Sequence, residues 1–292
     1  MKNHPRISVV TPSYNQAQFL GATMQSIHGA GYPNLEHIII DGGSTDGSVD
    51  IIQSYGDRLA YWVSEEDAGQ TDALIKGFDR ATGDIWCWLN SDDLLEPNTL
   101  HEVAEFFEAH PEVRFIYGDS TWIDAQGRPF KPKKEHRWSR FVWMFDHNYI
   151  PQPSAFWRGD LYREVGGLDA KFDLAMDADL WIRFADVTAP RHVRRNWSQM
   201  RFYPEQKNTR LRAASGAEGR AIRARYVEPG SRARIKARKT AARALRVGLK
   251  ALAGGYSGSE LARHGATLLG RGTWEQQEAA RQRRAGSESS GT

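Results

Sequence analysis

The stretch Gly83-Asp84-Ile85-Trp86-Cys87-Trp88-Leu89-Asn90-Ser91-Asp92-Asp93 constrains this chain more than any other. Ile85 to Leu89 is a nearly continuous apolar run, too short for a helix and long enough for a strand buried on both faces. It stops abruptly in the oxygen-bearing side chains Asn90, Asp92 and Asp93. Strands of this kind belong to α/β sheets, where ligands bind at the carboxyl ends of the strands. Hard oxygen donors placed there suit Mg²⁺ or Mn²⁺, which takes one or two carboxylates and completes its shell with water and phosphate oxygens. Ser-Asp-Asp before Leu-Leu-Glu-Pro equally suits the cap of a following helix. Taken alone, the segment leaves both readings open.

The same pattern recurs upstream. Ile7 to Val10 is an apolar strand ending in Thr11-Pro12-Ser13-Tyr14-Asn15, with a helix over about 16–28. His37 to Ile40 is closed by the glycine-rich Asp41 to Ser48 and a helix through about Tyr55. Leu59 to Val63 leads into Ser64 to Gln70 and a helix over about 71–80. Strand-then-helix units in this succession predict a largely parallel sheet with crossover helices. One edge of it then collects Thr11, Tyr14, Asp41, Gln70, Asp72 and Asp92. Capping alone does not explain such a convergence.

Beyond residue 110 the pattern is less regular. Phe115 to Tyr117 and Thr121 to Ile123 read as a strand pair around Gly118-Asp119, and 131–148 as an irregular basic and aromatic loop. A short helix near 160–165, a helix from Asp177 and a last strand at Arg201 to Tyr203 follow. No internal repeat is present.

Charge divides the chain. Residues 1–219 hold 23 Lys+Arg against 31 Asp+Glu, whereas 220–292 hold 16 against 5. The expected organisation is a domain over 1–215, a basic helical extension over 216–280 and a disordered tail over 281–292. In the extension, Ile235, Ala242, Leu245, Val247, Leu249 and Leu252 form an imperfect apolar stripe among cations. Such a helix either lies on an anionic membrane surface or packs as a solvated helix on the domain. Nucleic-acid binding lacks an aromatic pattern to support it. No run approaches the roughly 20 apolar residues of a membrane span, and the N-terminus carries no apolar signal region. The single cysteine, Cys87, reads as a small core residue in a reducing compartment, which predicts a cytoplasmic protein, with the basic helix offering attachment to the inner membrane face.

Five segments carry a family resemblance: Val10 to Asn15, Ile40 to Ser48, Asp67 to Gln70, Leu89 to Asp93 and Met176 to Arg183. In this order, over about residues 6–210, the chain resembles the family 2 glycosyltransferases, whose nucleotide-sugar-binding fold is of the GT-A type. The resemblance implies an inverting transfer of a sugar from a nucleoside-diphosphate donor, most commonly a UDP-sugar, to a saccharide or lipid-linked saccharide in surface polysaccharide assembly. It places Thr11, Pro12, Tyr14, Asn15 and Asp41 around the nucleotide, with Asp41 accepting from the base and Tyr14 packing on it. Gln70 and Asp72 line the same pocket, and Asp72 equally suits a helix cap. Asn90-Ser91-Asp92 occupies the family's DXD position with Asn in place of the first Asp, which leaves Asp92, assisted by Asp93, to hold Mn²⁺ or Mg²⁺. Asp177 matches the base that activates the acceptor, and Met176 stands where many relatives carry Glu. Gln152 and Trp157 fall on the acceptor side, Lys207 near the diphosphate, and Trp181 and Arg183 in packing roles.

Two rivals remain at this stage. A non-catalytic nucleotide-sugar-binding or scaffold protein of the same fold is favoured by Asn90 and opposed by Asp177. A nucleotidyltransferase would need a glycine-rich first loop for a triphosphate, which Thr11 to Asn15 does not supply.

Overall fold

The structure is a computed structural model that describes residues 4–227 and 230–256. Within those residues the chain forms two compact units, divided at 140/141, 147/148 and 228/229. The expected tail over 281–292 lies outside the described residues.

The first unit opens with β1 (Ile7–Ser13), α1 (Ala17–His28), β2 (Leu35–Asp41), α2 (Ser48–Tyr55), β3 (Tyr61–Ser64), α3 (Gln70–Phe78) and β4 (Ile85–Trp88). β1 pairs in parallel with both β2 and β4, and β2 with β3. The chain therefore steps outward from β1 to β3, then returns to the other side of β1 for β4. At that reversal the connections diverge and leave a crevice at the strands' carboxyl ends. α3 covers β1 closely, because a Cβ on Gly77 would stand 2.4 Å from Val10 Cγ1.

The rest of this unit is mixed. β5 (Leu94–Leu95), α4 (Thr99–Ala109), β6 (Phe115–Ile123) and β7 (Pro129–Lys133) are followed by β8 (Ala155–Arg158), α6 (Gly159–Glu164), α7 (Met176–Val187) and β9 (Arg191–Arg201). Residue 140 begins α5 (Arg140–Phe145), whose remainder belongs to the second unit. The strand order is β3-β2-β1-β4-β8-β6-β9-β5, with β7 on β6. β8 runs antiparallel to both β4 and β6, while β6 and β9 are parallel. The expected strand pair around Gly118-Asp119 is instead one continuous strand, β6. A Cβ on Gly118 would stand 2.6 Å from the Trp197 ring, so this glycine lets β9 approach rather than turning the chain. The last strand also begins ten residues earlier than Arg201, since the exposed polar run Arg191 to Asn196 gave no apolar signal.

Alternation along β4 sends Trp86 and Trp88 to one face, into an aromatic core. Trp86 stacks on Phe78 at 5.4 Å and Trp88 on Trp181 at 5.4 Å. Trp157 joins them 5.5 Å from Trp181 and 5.7 Å from Phe78, fully buried. Cys87 is buried as expected, and burial pushes its thiol well up.

α8 (Lys207–Arg210) and α9 (Arg212–Ala224) close the first unit. Residues 213–216, where the charge balance shifts, lie inside α9 without a break. In the second unit, α10 (Arg232–Leu252) carries eight Lys/Arg and no Asp or Glu. Its Arg246 donates to Asp146 and to the Tyr256 hydroxyl, and Arg238 lies over the Phe145 ring. Ala242 and Val247 are buried but Leu245 and Leu252 are exposed, so the apolar stripe is split between two faces. Among the described residues no helix is long and apolar enough to cross a membrane.

Candidate active site

A cleft of about 860 Å³ opens at the carboxyl ends of β1 and β4, within the range of small-ligand pockets. Pro12 to Gln16 form one wall, Gly42 and Glu66 to Gln70 a second, Asn90 to Asp92 the floor, and Tyr203 to Leu211 a third wall. Thus Pro12, Tyr14, Asn15, Gln70, Asn90, Ser91, Asp92 and Lys207 all line this one cleft. Tyr14 is 62% exposed at the rim, with an open ring face. The Ser13 Oγ and Gln16 Oε1 in the wall are buried without a hydrogen-bond partner.

The floor is held from beneath. The Thr23 hydroxyl donates to the carbonyls of Ser91 (2.9 Å) and Asp93 (2.8 Å), and Arg201 Nε donates to that of Asp92 (2.9 Å). Asp92 Oδ2 accepts from the Tyr203 hydroxyl at 3.0 Å and from Gln206 Nε2 at 3.4 Å. Burial raises the Asp92 carboxyl above its usual range against these hydrogen bonds. Asp93 turns the other way: its Oδ1 accepts from the Arg201 backbone N–H at 2.9 Å, and it does not line the cleft. Burial, then the Asp92 charge, pushes its carboxyl well up. Asp92 is therefore the carboxylate of the pair that faces the cleft.

Asn90 suits its place for a physical reason. Its Oδ1 accepts from Gln70 Nε2 at 2.8 Å, and its Nδ2 donates to Gln152 Oε1 at 3.2 Å and toward Asp93 Oδ2 at 3.5 Å. A carboxylate at position 90 would set like charge against Asp93 and leave Gln152 Oε1 without its donor.

Several expected residues sit outside the cleft. The Thr11 hydroxyl is fully buried against His37 Nε2 at 3.0 Å. Asp41 is also fully buried, its oxygens taken by Ser44 N, Ser44 Oγ and Ser64 Oγ, so it shapes the loop after β2. Asp72, in the first turn of α3, accepts from Ala68 N in the preceding loop and pairs with Lys76. Gln152 donates to the Trp88 carbonyl at 2.7 Å and supports Asn90 from below. Trp157 is a correction: its ring is in the aromatic core and exposes no surface to an acceptor. Lys207 lines the cleft, but its ammonium is 2.6 Å from Asp173 Oδ2.

The cleft also holds carboxylates that the sequence reading passed over. Asp67 Oδ1 accepts from Gly69 N at 2.8 Å, and burial raises its carboxyl. Asp173 accepts from Thr71 N at the start of α3, beside Gly69, whose φ of +115° and lack of a side chain allow the approach. Asp67 stood inside a recognised segment, whereas nothing in the pattern around Asp173 marked it.

Asp177 lies in the first turn of α7, four residues after Asp173. Asn148 Nδ2 donates to its Oδ2 at 2.8 Å. Burial outweighs this hydrogen bond and the nearby Lys133 charge, and raises the carboxyl to about 6. Asp179, two residues on, faces elsewhere and pairs with Arg183 at 2.7 Å.

A parallel α/β half-sheet with a cleft at its switch point is the architecture of nucleotide-binding enzymes. The sequence pattern of Glycosyl transferase family 2 matches residues 8–158, just over half of the chain, and the chain belongs to that family. An uncharacterized glycosyltransferase of Mycobacterium tuberculosis is 29% identical over 200 residues, covering 66% of this chain and 74% of that protein. The O-antigen biosynthesis protein RfbC of Myxococcus xanthus is 29% identical over 198 residues, covering 65% of this chain and 15% of that protein. Among solved structures, S. aureus TarS 1-349 in complex with UDP is similar at a TM-score of 0.60 and 16% identity, over 81% of this chain and 70% of that one. The mannosyltransferase PcManGT from Pyrobaculum calidifontis, in complex with GDP-Man and Mn²⁺, is similar at 0.56 and 20% identity, over 91% and 81%. At such identities the structural likeness establishes the GT-A fold. The protein is a glycosyltransferase.

Proposed function

We propose that this enzyme transfers a sugar, with inversion, from a nucleoside-diphosphate donor to a saccharide hydroxyl in surface polysaccharide assembly. The observation that carries the reading is the pairing of two carboxylates with different tasks: Asp92 in the floor of the cleft and Asp177 at the start of α7. Inversion needs a base on the face opposite the leaving diphosphate. Asp177, raised to about 6 and oriented by Asn148, is ionised at neutral pH while still basic enough to take a hydroxyl proton. Tyr14 offers a ring face to the base, and the unpaired Ser13 Oγ and Gln16 Oε1 offer polar contacts to the donor.

The residues fit a divalent cation. Among the described residues no group of three or more His, Cys, Asp or Glu is placed to hold a metal alone. Mn²⁺ and Mg²⁺ are commonly held by one or two carboxylates together with substrate phosphates. Asp92 supplies that carboxylate, and Tyr203 and Gln206 fix its orientation. A bound cation would offset charge developing on the departing diphosphate. Lys207 would reach a phosphate only by leaving Asp173.

UDP is the nucleotide favoured by the resemblance. A thermal-shift panel of UDP, dTDP and GDP, each with and without Mn²⁺, tests this, since a ligand of the folded state raises the midpoint. A Mn²⁺-dependent shift with one nucleotide supports the donor site; no shift with any of them favours a scaffold role. The exposed Leu245 and Leu252 among the cations of α10 support attachment to an anionic membrane carrying a lipid-linked acceptor. Co-sedimentation with neutral and anionic vesicles alike, or with neither, would contradict that attachment.

A further inference from the structure

The loop 169–175 connects the donor cleft to the helix that carries Asp177, and α9 grips it at two points. Glu218 Oε2 accepts from the backbone N–H groups of Leu174 (2.9 Å) and Ala175 (2.8 Å), and Oε1 from that of Asp173 (3.3 Å). These are amides at the entry to α7, which has no side-chain cap of its own. The carboxylate of another helix thus does the capping, with the charge sign that a helix N-terminus favours. At the end of α9, Arg225 pairs with Asp169 (3.3 Å) and with the buried Asp179 (3.1 Å), and lies over the Phe172 ring. The clamped segment therefore runs from Asp169 through the loop to Asp179 in the first turn of α7, with Asp177 between the two ends. α9 lies wholly beyond the segment matched by the family pattern.

We propose that Glu218 is a positioning residue for Asp177: by capping α7 from α9 it fixes the orientation of the acceptor-activating carboxylate. Glu218 does not line the cleft, so its contribution passes through the loop. The inference rests on the assignment of Asp177 as base, but it can fail separately. Glu218 would make α9, the helix in which the charge balance shifts, part of the catalytic apparatus rather than an appendage.

The test compares full-length wild type, Glu218→Ala and Glu218→Gln, the last keeping an oxygen that can accept from the loop. Three readouts are taken on folded protein: hydrogen exchange over 170–180, the titration of Asp177 by carboxyl ¹³C NMR assigned with Asp177→Asn, and turnover of UDP-GlcNAc or GDP-Man with water as acceptor. In Glu218→Ala, exchange at 173–175 should rise at least 10-fold and the Asp177 titration should fall from about 6 toward the ordinary carboxylate value as water enters. Turnover should drop roughly 10- to 100-fold with donor KM nearly unchanged. Glu218→Gln should restore most of the protection and keep the titration near 6. A folded Glu218→Ala with wild-type exchange and an unmoved titration would overturn the proposal. If instead Asp177→Asn turned over at the parent rate, the base assignment would fail while the exchange and titration still judged the clamp.

Discussion

The two halves of the sheet are built by different rules. β1 to β4 are parallel, each followed by its helix or loop, and their carboxyl ends with the loops after them line much of the cleft. β5 to β9 pair in both directions and mostly over long separations: β5 antiparallel to β9 through Leu94 and Gln199, and β6 parallel to β9 through Ile116 and Arg191. In the first half a strand's end is a site. In the second, a residue's position in the sequence says little about whether it faces a ligand, because its partners come from elsewhere in the chain. Most of the cleft's lining comes from the first half, and Asp177 hangs from loops and helices beyond it.

Trp157 gives the largest expected contrast. Its ring fills the core between Phe78, Trp88 and Trp181, so Trp157→Ala should cost about 3–5 kcal/mol in urea unfolding. Trp157→Phe, once folded, should leave acceptor KM unchanged; a selective rise in acceptor KM would return Trp157 to the acceptor side. For the first half, Asp92→Ala should weaken donor binding about 10- to 100-fold in Mn²⁺, or about 1.4–2.7 kcal/mol by titration calorimetry. An equal loss without Mn²⁺ would separate Asp92 from the metal.

The pH dependence bears on the other half. Because burial holds Asp177 at about 6, its base form dominates above that pH, and kcat/KM should fall about tenfold per unit below it. The sign for stability is opposite. The folded state binds this proton more tightly than the unfolded chain, so the stabilisation is present at low pH and lost as pH rises from 3.8 through about 6. Asp177→Asn should accordingly melt higher than wild type at pH 7 to 8. A loss of stability is expected at the join of the two halves. Asn90→Asp should destabilise by about 1–3 kcal/mol, because a carboxylate there meets Asp93 and Gln152 without a proton to donate. A neutral effect would mean that Asn90 is not needed to shield Asp93.

This contrast also explains what the sequence made legible. The run from Ile85 to Asp93 announced a buried strand with a site at its end, and Asn90, Ser91 and Asp92 do line the cleft. Tyr14 and Gln70 followed from the same rule, and Pro12 and Asn15 from the family resemblance. It failed where a polar residue at a strand end turns inward: the oxygens of Asp41 are taken by Ser44 of its own loop and Ser64 at the end of β3, and Asp93 Oδ1 by the Arg201 backbone more than 100 residues away. Trp157 was placed on the acceptor side because β8, entered through Gln152-Pro153-Ser154, gave no periodic signal; its antiparallel pairing with both β4 and β6 buries it. The basic composition of the C-terminal region hid the single carboxylate, Glu218, that matters to the loop before α7.

The measurement that bears most directly on the division of labour is made on Asp177→Asn, comparing donor affinity in Mn²⁺ with the rate of sugar transfer. The account predicts a donor Kd within about threefold of wild type and a rate reduced about 10²- to 10⁴-fold. Transfer at the parent rate, or a donor affinity lost together with the rate, would contradict it.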